Sequence, residues 1–191
     1  MNHSYQEYQE YFEYLKSRSR IGLIYRNFWL YPRICAHLQG RVLDVGCGIG
    51  DFVRFRQQTT GADINPETVK FCKMQGLDVV RMDVDRLPFS SGEFDGVLID
   101  NVLEHIESPQ SLIEEVYRVL KPFGTLLIGV PGKKGYEKDA DHKVFYDEKK
   151  LVDVISAHGF CGEKTFYMPI KSNVLDFWLT QFCLYVKFTR N

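Results

Sequence analysis

From residue 41 onward, short apolar runs alternate with helical patterns, and this alternation constrains the fold more than any other feature of the chain. Parallel neighbours cannot be joined by a tight turn, so a helix between successive strands is the usual crossover. The rhythm therefore predicts an α/β fold with a largely parallel sheet. Strands are expected at roughly 41–45, 59–63, 78–82, 94–99 and 124–130, and helices at roughly 49–57, 66–74, 109–120 and 147–158. Two later runs, CGEKTFYMP and QFCLYVKFT, read as closing strands. Asn65 before Pro66 and Ser108 before Pro109 look like N-caps followed by proline in the first turn. Asp147 can cap the last helix, which Gly159 ends.

Bulk properties narrow the partners. The 191 residues suit one domain, here a helical cap over 1–38 on a core over 39–191. With 24 Lys and Arg against 25 Asp and Glu, the chain lacks the positive charge that drives general nucleic-acid affinity, and no nucleic-acid partner is expected. Five scattered cysteines without a C-x-x-C pair suggest a reducing, cytoplasmic setting. No basic start with an apolar leader and no membrane-length apolar stretch is visible.

The first strand runs into RVLDVGCGIGD, a glycine-rich turn. A dinucleotide fingerprint needs G-x-G-x-x-G, but here Gly46, Gly48 and Gly50 alternate and Asp51 takes the third glycine's place. Asp44 adds a carboxylate that repels phosphate and attracts an ammonium group. A glycine turn at a helix N-terminus still offers N–H groups to an anion, so an amino-acid end suits the loop. Asp63 follows Asp44 by 19 residues, where a carboxylate can take both ribose hydroxyls, and Asp83 in RMDVDRLPF is placed for an adenine amine. A ligand with amino-acid, ribose and adenine parts is S-adenosylmethionine.

In this ordered set, VLDVGCGIG, GADINPE, MDVDRLPF, FDGVLIDNVLEHI and LKPFGTLLIGVP, the chain resembles the class I S-adenosylmethionine-dependent methyltransferases from residue 41 to about 160. The resemblance implies a Rossmann-like, seven-stranded, mostly parallel sheet in the order 3-2-1-4-5-7-6, with the seventh strand antiparallel and helices on both faces. It implies that Asp44, Gly46, Cys47, Gly48 and Gly50 hold the methionine end of the cofactor and that Asp63 takes the ribose. Ile64 would lie on the adenine, Asp83 and the Val84 N–H would meet the ring, and Asp100 would sit beside the sulfonium.

Such a reaction is an in-line displacement, and an oxygen or neutral nitrogen acceptor must also lose a proton. His105 and His142 are the candidate bases. An E-x-x-E-H metal cluster, known in related O-methyltransferases, would need Glu where Asn101 stands, so no metal is expected. The Asp/Asn-Pro-Pro-aromatic motif of DNA base methylation is absent after the fourth strand. The expected reaction is methyl transfer to an oxygen or nitrogen of a small molecule, sugar or lipid-linked precursor. The alternative is an inactive cofactor-binding regulatory or scaffold subunit.

Three regions are expected to shape the acceptor pocket: the N-terminal segment, the loop 132–146, and the tail PIKSNVLDFWLTQF. Tyr5, Tyr8, Phe12 and Leu15 recur at helical spacing, which predicts an added N-terminal helix. Phe28-Trp29-Leu30-Tyr31 and Phe177-Trp178-Leu179 suggest either packed sheet ends or an apolar acceptor met at a membrane surface.

Overall fold

The computed structural model describes residues 5–169 and 182–191, so the Phe177-Trp178-Leu179 motif lies outside the described residues. Strands β1 (Val42–Val45), β2 (Thr59–Asp63), β3 (Val79–Arg81), β4 (Phe94–Asp100), β5 (Leu120–Pro131), β6 (Phe160–Met168) and β7 (Cys183–Arg190) form one sheet. Their order is β3-β2-β1-β4-β5-β7-β6, as the resemblance implied. β7 runs antiparallel to both β5 and β6, while β1 to β5 are mutually parallel.

Helices cover both faces because the central strands alternate two apolar sides. Leu43, Val45, Val97, Ile99, Leu126 and Ile128 point into one core with α6 (Gln110–Val119) and α8 (Glu148–Ser156). Val42, Leu98 and Leu127 point into the other, against Leu30, Tyr31 and Ile34 of the N-terminal region. A strand buried on both sides reads as a continuous apolar run, which is why β1 and β4 were legible.

Local chemistry fixes the helix starts. Asn65 Oδ1 accepts the Glu67 N–H at 2.9 Å to open α5 (Pro66–Met74), and Asp147 Oδ1 accepts the Lys150 N–H at 2.8 Å to open α8. Ser108 does not cap α6; Pro109 occupies the cap position, with no side-chain bond to the first turn. The helix after the glycine loop, α4 (Asp51–Phe55), is shorter than expected, since Arg56 is already extended. β5 starts at Leu120, earlier than expected, because LKPFG joins the ladder through a bulge facing Phe94 and Gly96.

The N-terminal region is more than one helix. α1 (Tyr5–Lys16) is followed by α2 (Arg20–Tyr25), a π-helical turn at Arg26–Leu30, and α3 (Tyr31–Cys35). Ser19 caps this second helical run by accepting the Gly22 N–H at 3.1 Å. A short α7 (Lys133–Tyr136) follows β5. No helix among the described residues is long and apolar enough to cross a membrane.

Candidate active site

The strand order reverses between β1 and β4, and in open α/β sheets ligands bind beyond the strand C-termini at such a point. The glycine loop leaves β1 there. Gly46 and Cys47 donate their N–H groups to the Ala62 carbonyl at 2.8 and 3.2 Å, which pins the loop to β2. Gly46 has φ +73°, and a Cβ on it would stand 2.4 Å from Val102 Cγ2. The position therefore demands glycine for conformation and for space. Cys47 fits against Gly61 of β2, where a Cβ would come within 2.7 Å of its sulfur. Burial, followed by Asp44 and Asp63, holds the Cys47 thiol neutral, which makes it a packing residue.

Three buried or half-buried carboxylates ring this loop. Asp44 lies in β1, Asp63 ends β2 and Asp100 ends β4. Burial raises all three, and Asp100, Asp63 and Asp51 raise Asp44 further, so the four acids share one small region. Such a well attracts a cation. Asp63 Oδ2 accepts the Gly48 N–H at 2.7 Å and Oδ1 accepts the Asn65 N–H at 2.8 Å, which aims the carboxylate. A carboxylate has about four acceptor positions, so about two remain for ligand hydroxyls. On Asp100, the Tyr185 hydroxyl at 2.7 Å and the Asn101 amide at 2.9 Å both donate to Oδ1. Gly129 of β5 makes this possible, because its Cβ would stand 2.5 Å from Asp100 Oδ1 and 2.4 Å from the Tyr185 ring. The donor set suits a ligand that is cationic at one point and carries hydroxyls at another, as S-adenosylmethionine does.

Asp83 and Val84 stand apart from this ring. β3 ends at Arg81, so Asp83 does not end the strand; it lies in an exposed turn whose backbone is bridged to Arg86. Val84 is also exposed, and Ile64 is half-buried against the main core.

The N-terminal region, expected as an added helix, packs over the glycine loop. Leu15, 1% exposed, sits where a Cβ on Gly48 would be 3.2 Å from its Cδ1. Phe12 packs edge-on against Phe71 of α5, and the Tyr8 carbonyl accepts from Asn65 Nδ2 at 2.8 Å. Arg26 and Arg18 reach Asp51 Oδ2 at 3.4 and 4.0 Å and pull down the Asp100 carboxyl. Arg26 Nε and Asp51 Oδ2 are nonetheless buried without a hydrogen bond. None of these cationic partners was among the sequence candidates, since their pairing crosses about thirty residues of chain with no local pattern.

The two candidate histidines do meet. Their rings lie 4.7 Å apart, His105 on the 3₁₀ turn Leu103–His105 after β4 and His142 on the loop after α7. His142 Nδ1 lies 2.8 Å from the Tyr136 carbonyl and its ring stacks on Tyr136. A carbonyl only accepts, so Nδ1 carries hydrogen and Nε2 is the free acceptor in the neutral ring. That Nε2 lies 3.9 Å from Glu104 Oε1 and 3.8 Å from Asp139 Oδ2. His105 Nδ1 likewise lies 3.3 Å from the Asp141 carbonyl, and burial and His142 lower its pKa, keeping it neutral. Glu104 is 1% exposed, neither side-chain oxygen has a hydrogen-bond partner, and burial pushes its pKa up to about 8. Its carbonyl accepts from Lys143 and Val144 at 2.7 and 3.0 Å, stitching the loop to the turn. Ligand atoms of Glu104, His105 and His142 lie within 4.8 Å of one another, so the trio can share a proton or hold a cation.

Comparison with known proteins agrees with this geometry. The methyltransferase domain family matches residues 43–128. An uncharacterised protein of Methanocaldococcus jannaschii is 34% identical over 133 residues, 64% of this chain and 65% of that protein. A ubiquinone biosynthesis O-methyltransferase of Xanthomonas oryzae is 37% identical over 99 residues, 46% of this chain and 41% of that protein. The chain thus spans less than two thirds of the length of either curated relative. Among solved structures, a possible histamine N-methyltransferase of Thermotoga maritima superposes with a TM-score of 0.74 at 18% identity, covering 96% of this chain and 99% of that one, a likeness of fold. The methyltransferase domain match falls on the glycine loop and on β1 to β5, and the strand order is the one that the resemblance to the class I S-adenosylmethionine-dependent methyltransferases implied, so residues 43–128 match a methyltransferase domain within that fold.

Proposed function

We propose that this chain transfers a methyl group from S-adenosylmethionine to an oxygen or nitrogen of a small-molecule, sugar or lipid-linked acceptor. The observation that carries the reading is the meeting, at one switch point, of a carboxylate-ringed glycine loop and a pair of histidine rings 4.7 Å apart, with the pKa of His105 lowered by burial. S-adenosylmethionine, when bound, supplies an activated methyl group on a sulfonium. Asp44 and the Gly46, Cys47, Gly48 and Gly50 loop would hold its methionine end, with Asp100 beside the positive sulfur. Asp63 would accept from the ribose hydroxyls, Ile64 would meet the adenine face, and Asp83 with the Val84 N–H would bind the ring edge. Residues 1–38 act as a cap on this single unit, and Leu15 excludes water from the loop.

The acceptor's proton goes to Nε2 of His142 or His105. Both rings keep hydrogen on Nδ1 against a carbonyl, which leaves Nε2 to accept. Glu104, protonated near neutral pH, lies beside His142 without adding a negative charge. The relative from Xanthomonas oryzae is named as an O-methyltransferase, which supports an oxygen acceptor.

Calorimetric titration tests the donor: S-adenosylmethionine binds and Asp63→Ala loses it, whereas NAD binding in its place overturns the reading. Incubation with methyl-labelled cofactor and a metabolite and lipid extract tests the chemistry. Label in an organic product supports transfer, and binding without any labelled product makes the chain an inactive cofactor-binding subunit.

A further inference from the structure

The helical run from Arg20 to Cys35 is apolar on two sides, and among the described residues the core covers only one. Leu30, Tyr31 and Ile34 turn into the core beside β1, β4 and β5. Ile21 (80% exposed), Phe28 (79%) and Ile24 (58%) form the opposite side, with Trp29 next to them. A helix that is apolar all round is normally buried all round. Exposed apolar residues are ordinary when scattered, but three at i, i+3 and i+7 make a stripe. The charge carried by this stretch itself has one sign. Residues 15 to 40 contain Lys16, Arg18, Arg20, Arg26 and Arg33 and no Asp or Glu, in a chain whose net charge is −1. Arg18 and Arg26 turn inward to Asp51, while Arg20 is exposed and Arg33 lies over the Trp29 ring with its guanidinium 5.5 Å from the centroid.

We propose that this face docks on an anionic lipid surface, with Ile21, Ile24 and Phe28 entering the acyl boundary and Trp29, Arg20 and Arg33 at the headgroups. The chemistry matches an interfacial helix: a short apolar stripe, an aromatic amphipath beside it, and flanking cations that anionic headgroups attract. The opposite side of the same run reaches the site, since Arg26 contacts Asp51 and the Tyr25 hydroxyl is raised by Cys183 and Asp100 after burial. Docking would therefore hold the site behind this run, one helix diameter (~10 Å) from the bilayer. That last consequence rests on the methyl-transfer reading; adhesion itself does not.

The test is sedimentation of the full chain, without cofactor, with vesicles of phosphatidylcholine alone or with about 30% phosphatidylglycerol. Binding is expected to be roughly tenfold stronger on the anionic vesicles at low salt and to weaken as salt screens the charges. Ile24→Asp/Phe28→Asp, at exposed positions, should abolish binding with circular dichroism unchanged, and Arg20→Glu/Arg33→Glu should remove the preference for the anionic lipid. Equal binding to both vesicles, no binding, or unchanged binding of both variants overturns the proposal. A dimer in size-exclusion chromatography that Phe28→Asp converts to monomer also overturns it, by making the face a subunit interface. A chain that binds vesicles but not S-adenosylmethionine refutes the methyl-transfer reading and leaves the docking proposal standing.

Discussion

The proposed donor side and the proposed acceptor side of the site are built in opposite ways. The donor side uses short, contiguous pieces of the parallel sheet: a glycine loop pinned to Ala62, and carboxylates at or near strand ends, their positions set by ladders buried on both faces. The acceptor side is assembled from a 3₁₀ turn, a loop that hangs on the Glu104 carbonyl, and helices from the start of the chain. The difference teaches where each kind of damage should appear. Changes on the donor side should cost backbone geometry and affinity, whereas changes on the acceptor side should cost rate or pH response and leave the fold intact.

The largest effect expected is on rate. His105→Ala/His142→Ala should lower the turnover number about 10²- to 10⁴-fold while leaving cofactor affinity nearly unchanged in calorimetry. Because the His105 pKa is lowered, a base role also predicts activity that falls only as pH drops below the ordinary histidine range and is level above it. Unchanged rates in the double variant would move proton removal elsewhere. Loss of activity in a chelator, restored by a divalent cation, would instead make the Glu104, His105 and His142 trio a metal centre.

On the donor side, Gly46→Ala forces a methyl into Val102 at a positive φ and should cost about 2–4 kcal/mol in thermal or denaturant unfolding, with cofactor binding lost. Asp63→Ala removes a charged acceptor from two backbone N–H groups and from the ribose, and calorimetry should show affinity lower by about 1.5–3 kcal/mol per lost ligand bond. If Gly46→Ala binds cofactor normally, the loop is more adaptable than its contacts indicate and the contrast between the two sides fails.

A smaller effect separates stability from rate. The folded Glu104 pKa of about 8 lies above its ordinary 4.5, so the folded chain keeps this proton longer than the unfolded one. Its contribution is fully present below pH 4.5 and is lost as pH rises through about 8. Glu104→Gln should remove that loss and stabilise the chain at pH 9 by about 1–3 kcal/mol in chemical denaturation. A variant less stable than the parent at pH 9 would mean that the ionised carboxylate has a partner there. The smallest change serves as a reference: Lys149→Ala breaks an exposed pair with Asp153 and should leave the unfolding midpoint unchanged within measurement error.

Much of this was legible in the chain because its causes are local. Apolar runs bounded by glycine and helix caps predicted five parallel strands, and Asn65 and Asp147 cap the helices they precede. The ordered motifs supplied the strand order, including the reversed β7, which no local periodicity specifies. Gly129 carried a readable signal, since a glycine inside a strand marks a close approach, here of Tyr185 to Asp100.

By itself the sequence determined the α/β alternation, the glycine turn with its acidic neighbours, and two histidines worth pairing. Only the tertiary structure decided that Asp83 and Val84 lie in an exposed turn, that His105 and His142 meet, and that the Glu104 carboxyl is buried without a hydrogen bond. It also decided that Leu15 closes on Gly48 while Arg18 and Arg26 reach Asp51. The physical reason is range. Strand and cap signals arise within a few residues, where sterics and backbone hydrogen bonds act, but a contact across thirty or more residues depends on how separate elements pack, and no short pattern encodes that.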